Sequence, residues 1–250
     1  MLQLGWPWLV IVGLLLVMAG AGIYAVIRVG GRTAARMQTG RMQLSSMRNL
    51  ETIAAALNAY ASDHGRYPPP ILRDDSGKAL HSWRVLILPY LGEEDLYDQF
   101  DLNVAWDEGV NQGLVYQDFP AAYRHPGLTG WGFESHYHLI TGPGTLFPSQ
   151  GSLGPEQIRD KKAQTILVAE AIGLGTGSMW TEPIDLDVTA VGGTIGVRPG
   201  QDLGGLIDGG VCVATADGRG HFLDETTPRL TVQALITPAG DESLPDDVLD

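Results

Sequence analysis

The chain has few residues that could cross-link it or bind a soft metal. Its only cysteine is Cys212, so intramolecular disulfides and cysteine-rich zinc sites are both excluded. Cys212 lies in the apolar run 211–214, which predicts a small buried hydrophobic side chain. Basic residues are also scarce, since 16 Lys and Arg stand against 29 Asp and Glu, for a net charge of −13. An acidic body repels polyanions, so no nucleic-acid partner is expected.

The sequence also lacks the motifs of common catalytic sites. It contains no Gly-x-Ser-x-Gly elbow, no Gly-x4-Gly-Lys-Ser/Thr phosphate loop and no His-Glu-x2-His zinc motif. The glycine-rich run Gly173–Gly177 has no clear helix after it and is interpreted as a flexible loop. We therefore expect a protein that is not an enzyme, with no catalytic, cofactor-binding or metal-binding residue and no cofactor. An enzyme with an unfamiliar site is the weaker alternative.

One long apolar run is present at the N-terminus. No charged residue occurs from Trp6 to Ile27, and about 20 such residues span a bilayer as a helix. Residues 1–27 are therefore predicted to be a single-pass transmembrane anchor that contacts lipid through residues 6–27. A cleaved signal peptide is the alternative, although no Lys or Arg precedes the apolar run.

Helical periodicity continues beyond this segment. Apolar residues recur at spacings of three and four through Met47, Leu50 and Leu57, which predicts an amphipathic helix over residues 28–66. Asp63-His64-Gly65 is a helix stop, and the prolines that follow at positions 68–70 prevent continuation.

The remaining residues predict an α+β domain over 67–240, with a small antiparallel sheet and long loops, and a loose acidic tail over 241–250. Residues 165–171 and 210–216 are interpreted as buried strands. Asp217-Gly218 predicts a hairpin turn rather than half of a calcium loop. Residues 231–236 are a last helix or strand.

Histidines and acids offer a few candidates for chemistry. His136 and His138 lie on one face of a predicted strand, where they could form a metal pair, but a surface strand with two polar side chains is the preferred interpretation. His64 and His81 are interpreted as hydrogen-bonded structural groups in loops. Four tryptophans in predicted loops suggest either a binding surface or packing: Trp83, Trp106, Trp131 and Trp180.

A series of short motifs, in order along residues 40–240, resembles the family with domain of unknown function 1559, which is known chiefly from planctomycetes. The motifs include His81-Ser82-Trp83-Arg84, Trp180-Thr181-Glu182-Pro183 and Asp217-Gly218. Members resemble type IV pilins and type II secretion pseudopilins at the N-terminus. The resemblance therefore implies a pilin-like fold in which a long helix packs on a small sheet. By analogy with calcium-binding pseudopilins, Glu182, Asp185 and Asp187 would be the acids to consider near a cation.

The chain departs from the family pattern at three places. It lacks the basic leader and the Gly-Phe-Thr-Leu-Ile-Glu processing site, and Ile207 stands where members have a histidine ten residues before the Asp of Asp-Gly. Leu44 and His125 replace cysteines that members often carry. Processing by prepilin peptidase is therefore not expected.

Orientation and function follow from the anchor and the resemblance. Arginines after the span would place the body in the cytoplasm by the positive-inside rule, whereas the pilin resemblance favours the extracytoplasmic side, which is the expectation here. The expected function is a non-catalytic, pilin-like or pseudopilin-like envelope protein in the cell membrane, which self-associates or joins related subunits through its helix. The alternative is a membrane-tethered binding module for a small ligand, a glycan or a divalent cation.

Overall fold

A computed structural model describes the chain at residues 6–128, 132–149, 151–172, 179–205, 207–245 and 248–249, and its description of side chains leaves out residues 6–17 and 19–32. The chain divides into two compact units, residues 1–41 and 42–250. The expected mixture of an N-terminal helix with an antiparallel sheet is confirmed.

Helix α1 is a single element that runs from Trp6 to His64, a length of 59 residues. It ends where the sequence predicts, because Gly65 takes a left-handed backbone with φ of 74° and its N–H donates to Ala61 O at 2.9 Å. The prolines that begin at Pro68 then prevent further helix.

The first unit consists of the N-terminal part of α1. The side chains of residues 33–38 are all exposed, Met37 at 58%. Within the described part of the chain, no helix has both the length and the apolar character needed to cross a bilayer. The predicted anchor covers residues 6–27. Met18 is the one residue of this segment whose side chain the structure describes.

The second unit is built on a four-stranded antiparallel sheet with strand order β3-β5-β7-β8. Its strands are β3 (Tyr137–His138), β5 (Ile166–Glu170), β7 (Gly210–Thr215) and β8 (Gly220–Asp224). The hairpin predicted at Asp217-Gly218 joins β7 to β8, where Gly218 has a φ of 90°.

Smaller elements surround this sheet. Strands β1 (Ile71–Arg73) and β2 (Ala79–Ser82) pair antiparallel, and β4 (Ile140–Thr141) and β6 (Leu186–Asp187) pair in parallel. The short helices are α2 (Trp83–Leu86), α3 (Glu94–Tyr97), α4 (Gly109–Leu114) and α5 (Val188–Val191). The last element, α6 (Arg229–Ile236), is a helix, which decides between the two alternatives that the sequence left open.

Helices cover both faces of the sheet. Cys212 and Ala214 of β7 share a hydrophobic core with Leu50 and Leu57 of α1. The alternate residues of β7, including Val213, share a second core with α6. Because successive side chains of a strand point to opposite faces, β7 is buried along its whole length. The antiparallel sheet is therefore buried on two sides rather than one.

Candidate functional site

A cluster of buried polar side chains joins α1 to the sheet. Glu170, at the end of β5, accepts hydrogen bonds on Oε1 from Ser46 Oγ of α1 and from His125 Nε2, the latter at 2.8 Å. Its Oε2 accepts from the backbone N–H of Cys212 at 2.9 Å. Tyr137 Oη completes the cluster at 3.0 Å from Ser46 Oγ. We call this group the Glu170 cluster: Ser46, His125, Tyr137, Glu170 and Cys212.

The hydrogen bonds indicate the tautomer of the histidine in the Glu170 cluster. Gly127 N–H donates to His125 Nδ1 at 3.0 Å, so Nδ1 is an acceptor and the proton lies on Nε2. His125 therefore donates from Nε2, and the Glu170 carboxyl group has three partners in the protein. Such coordination is what a fully buried carboxylate requires.

The Glu170 cluster holds the fold together and is not arranged for catalysis. All five of its residues are almost completely buried. Ser46 donates to the carboxylate rather than to His125, and its hydroxyl is completely buried, so no substrate can reach it in this structure. Burial also raises the pKa of the Cys212 thiol far above its usual range, which keeps it unreactive. The prediction of a buried Cys212 is confirmed.

Gly205 shows how tightly the chain surrounds Glu170. A methyl group on Gly205 would lie 2.8 Å from Glu170 Oε2, closer than such contacts allow. The backbone can approach the carboxylate only because this residue is glycine.

A second buried cluster lies on the other side of strand β3. Arg84 of α2 donates from Nη2 and Nε to the backbone oxygen of Tyr137, at 2.6 and 3.2 Å, and reaches Asp185 Oδ1 at 3.3 Å. Trp83 Nε1 donates to the same Oδ1 at 3.1 Å. His138 Nδ1 accepts from Arg84 Nη2 at 2.9 Å. We call this group the Arg84 cluster: Trp83, Arg84, His138 and Asp185.

Burial and the neighbouring guanidinium keep His138 neutral. Desolvation is the largest cause of its lowered pKa, which falls to about 4, and the charge of Arg84 lowers it further, although Asp185 opposes the shift. Since Nδ1 accepts from Arg84, the neutral ring carries its proton on Nε2. The net charge of the Arg84 cluster is therefore close to zero, with one guanidinium and one carboxylate.

Asp185 is bonded very unevenly. Its Oδ1 accepts from Trp83, Arg84 and the backbone N–H of Leu139, the last at 3.0 Å. Its Oδ2 has no hydrogen-bond partner among the described residues, and the side chain is buried, with only 2% of it exposed. A buried carboxylate oxygen without a partner is costly and calls for a ligand, a water molecule or an ion.

A cleft of about 560 Å³ lies beside this carboxylate, and Asp185 is one of its lining residues. We call it the Asp185 cleft. One wall is apolar and includes Pro70, Ile71 and Leu72, while Asp187 adds a second carboxylate. The volume falls within the range of sites for small molecules.

The two candidate metal histidines lie in a different environment from the one expected. His136 and His138 are 8% and 1% exposed, so the interpretation of a surface strand is wrong. Strand β3 pairs with β5, and Asp185 Oδ1 accepts from the backbone N–H of Leu139, the residue after the strand. In the described residues, no group of three or more His, Cys, Asp or Glu side chains is placed to bind a metal ion.

The other histidine and acidic candidates are separated. His64 is the last residue of α1 and stacks on Tyr60 with ring centroids 4.0 Å apart, while His81 lies buried in β2 with Nε2 at 3.1 Å from Asp101 O. Glu182 is half-buried, and desolvation raises its pKa. Asp217 accepts from Thr215 Oγ1 within the hairpin turn. The run Gly173–Gly177 lies outside the described residues.

The tryptophans that the structure describes do not form a binding surface. Trp83 and Trp180 are fully buried, and Trp180 stacks on Tyr123 with ring centroids 5.9 Å apart. Trp106 is partly buried against the same core. Trp131 lies outside the described residues. Packing therefore explains the three that are described.

Comparison with known proteins assigns the chain to a family. Searches of the curated proteins and of the solved structures find no match to it. The model of the family described as "Protein of unknown function (DUF1559)" matches residues 31–198, about two thirds of the chain. The matched stretch contains Arg84, Glu170 and Asp185, and it confirms the resemblance to this family over residues 31–198. The chain belongs to the DUF1559 family.

Proposed function

We propose that the chain is a non-catalytic, membrane-anchored envelope protein of pilin-like type, whose N-terminal helix anchors it and joins it to other subunits. The observation that carries the proposal is helix α1, a single helical element of 59 residues. A helix of this length exceeds what a domain of this size needs for its own core.

The two parts of α1 differ in what covers them. Residues 33–38 are exposed, whereas Ser46, Leu50, Ile53 and Leu57 are completely buried. A helix with exposed methionine and alanine side chains at one end is suited to side-by-side packing with identical helices. The apolar run at residues 6–27 supports anchoring in a bilayer, and the pilin-like resemblance supports an extracytoplasmic body.

Cysteine cross-linking tests assembly through the helix. The natural Cys212 is buried, and replacing it with Ala leaves a chain without cysteine in which single cysteines can be placed. Met37→Cys lies on the exposed part of α1, and Val110→Cys lies in α4 with a similar exposure, 64% against 58%. We expect oxidation of intact cells to give disulfide-linked dimers with Met37→Cys and none with Val110→Cys.

Two results would contradict the proposal. Equal cross-linking at both positions would indicate random collision, and no dimer at Met37 or at the exposed Leu44 would exclude assembly through this helix.

Protease treatment of sphaeroplasts carrying an epitope after Asp250 tests the orientation. Rapid loss of the epitope is expected, and protection until lysis would place the body in the cytoplasm.

A further inference from the structure

The Asp185 cleft combines an apolar wall with two carboxylates. Asp185 and Asp187 are two positions apart in the extended chain that forms β6, where side chains at this spacing share a face, and both line the cleft. An apolar part of the lining is contributed by Pro70, Ile71 and Leu72. A ligand that fits both parts of the lining has a compact apolar body and a hydrogen-bond donor at one end.

The two carboxylates differ in which of their oxygens already accept hydrogen bonds from the protein. Asp185 Oδ2 is buried without a partner, while its Oδ1 is occupied by protein donors. Asp187 uses Oδ1 to cap α5, accepting from the Thr189 N–H at 2.7 Å and from Thr189 Oγ1 at 2.5 Å. These bonds lower the pKa of Asp187 and keep it ionised at neutral pH.

The carboxylates of the cleft favour a ligand that carries hydrogen-bond donors and a positive charge. The charge of Asp185 is balanced by the buried Arg84, which lies 3.3 Å away. Arg73 also lines the cleft and offsets the charge of Asp187 through space, but its guanidinium turns back on its own hairpin and donates to Gly77 O at 2.9 Å.

A divalent metal ion fits less well than an organic cation. Calcium takes six to eight oxygen ligands, and the carboxylates among the described lining residues are two, each with Oδ1 already engaged. The apolar wall offers nothing to a hydrated ion but would be covered by hydrocarbon.

We propose that the Asp185 cleft binds a small organic primary amine as its ammonium ion, which donates hydrogen bonds to Asp185 Oδ2 and Asp187 while its hydrocarbon part covers the proline and leucine wall. The proposal concerns a ligand site in the body of the protein and does not depend on assembly through α1.

The indole N–H resonances of two buried tryptophans report on ligand binding in the full-length chain in detergent. Trp83 Nε1–H donates to Asp185 Oδ1, whereas Trp180 Nε1–H donates to Val115 O at 3.3 Å, away from the cleft. Titration with n-butylamine at pH 7 should shift the Trp83 indole N–H resonance, with half-saturation below about 10 mM, and leave that of Trp180 in place. 1-Butanol and butyltrimethylammonium should cause much smaller shifts, since the first lacks the charge and the second lacks N–H donors.

Matched variants locate the site. Asp187→Asn should weaken n-butylamine binding about fivefold, as expected for one exposed charge contact. Asp224→Asn is the control, because Asp224 caps Thr226 with the same geometry, at 2.8 and 2.6 Å, outside the cleft. Asp185→Asn should weaken binding more than tenfold, with the Trp180 resonance reporting whether the core is intact.

Three outcomes would overturn the proposal. The first is the absence of a saturable shift at Trp83. The second is an equal effect of 1-butanol or butyltrimethylammonium, which would reduce the cleft to an apolar or a nonspecific cation site. The third is an equal response of Asp187→Asn and Asp224→Asn. If Asp185→Asn does not fold, the ligand series and the Asp187 variant decide the question alone.

Discussion

Replacing Ser46 with alanine removes one bond of the Glu170 cluster and leaves the rest of α1 unchanged. Ser46 is completely buried, and its hydroxyl donates to Glu170 Oε1. Tyr137 Oη, 3.0 Å from Ser46 Oγ, then donates its own hydrogen to the serine oxygen. The neighbouring Ser45 is exposed on the same helix and provides a matched control, Ser45→Ala.

The expected loss of stability follows from three contributions. A hydrogen bond to a buried charged group is worth about 1.5–3 kcal/mol, and the Tyr137 hydroxyl that loses its acceptor costs about another 1 kcal/mol. Because alanine has a higher helix propensity than serine, the substitution also stabilises the helix by about 0.5 kcal/mol. We therefore expect Ser46→Ala to lower the free energy of unfolding by about 2–3.5 kcal/mol. Ser45→Ala should leave it unchanged or raise it by about 0.5 kcal/mol.

Urea unfolding of the full-length chain in mild detergent measures the difference. The near-UV circular dichroism of the buried Trp83 and Trp180 reports on the core of the second unit. The two variants should share one m value and differ in midpoint, since their buried surfaces are nearly equal. A difference of less than about 0.5 kcal/mol between them would refute the reasoning, because the Glu170–Ser46 bond would then contribute nothing.

Two further predictions concern the Arg84 cluster. Arg84→Met leaves the Asp185 carboxylate buried without its cation and should lower the free energy of unfolding by about 3–5 kcal/mol. Lys78→Met, which breaks an exposed ion pair, should have a far smaller effect in the same urea assay. For His138, the pKa is about 4 in the folded protein and 6.5 in the unfolded chain, so only the unfolded chain gains a proton between these values. Stability should fall as the pH drops from about 6.5 to 4, by up to about 3 kcal/mol from this residue, and His138→Asn should flatten that slope.

Each of these expectations has a result that contradicts it. Similar losses for Arg84→Met and Lys78→Met would mean that the buried pair makes no special contribution. An unchanged pH slope in His138→Asn would assign the acid sensitivity to other groups, such as His136, whose pKa burial also lowers.

Local patterns allowed much of the secondary structure to be predicted. The end of α1 at His64, the strand β5 and the β7–β8 hairpin all follow from periodicity and from turn residues close in sequence. The sequence leaves the state of residues 231–236 open, because six residues fit either period. The packing of α6 on the second face of the sheet depends on β5 and β7, of which β5 lies far away in the chain.

The buried clusters were not predictable from such patterns. Ser46 and Glu170 are 124 positions apart, and Arg84 and Asp185 are 101 apart, so a single sequence contains no local sign that they meet. A weak signal was present at Glu170, a charged residue at the end of the apolar run of β5, where an ionised side chain requires several donors. The burial of His138 was missed because alternating polar residues are typical of exposed strands, and here other segments cover this one.

Tyr137 connects the two clusters, and this connection can be measured. Its hydroxyl lies in the Glu170 cluster, while its backbone oxygen accepts two bonds from Arg84 in the other cluster. Removing Ser46 frees one end of this residue and removing Arg84 frees the other, so the second loss should be smaller once the first has occurred. We expect the double variant Ser46→Ala/Arg84→Met to be less destabilised than the sum of the single variants by about 0.5–1.5 kcal/mol. Additivity within about 0.3 kcal/mol would show that the attachment of α1 and the carboxylate of the Asp185 cleft are energetically independent, despite the shared tyrosine.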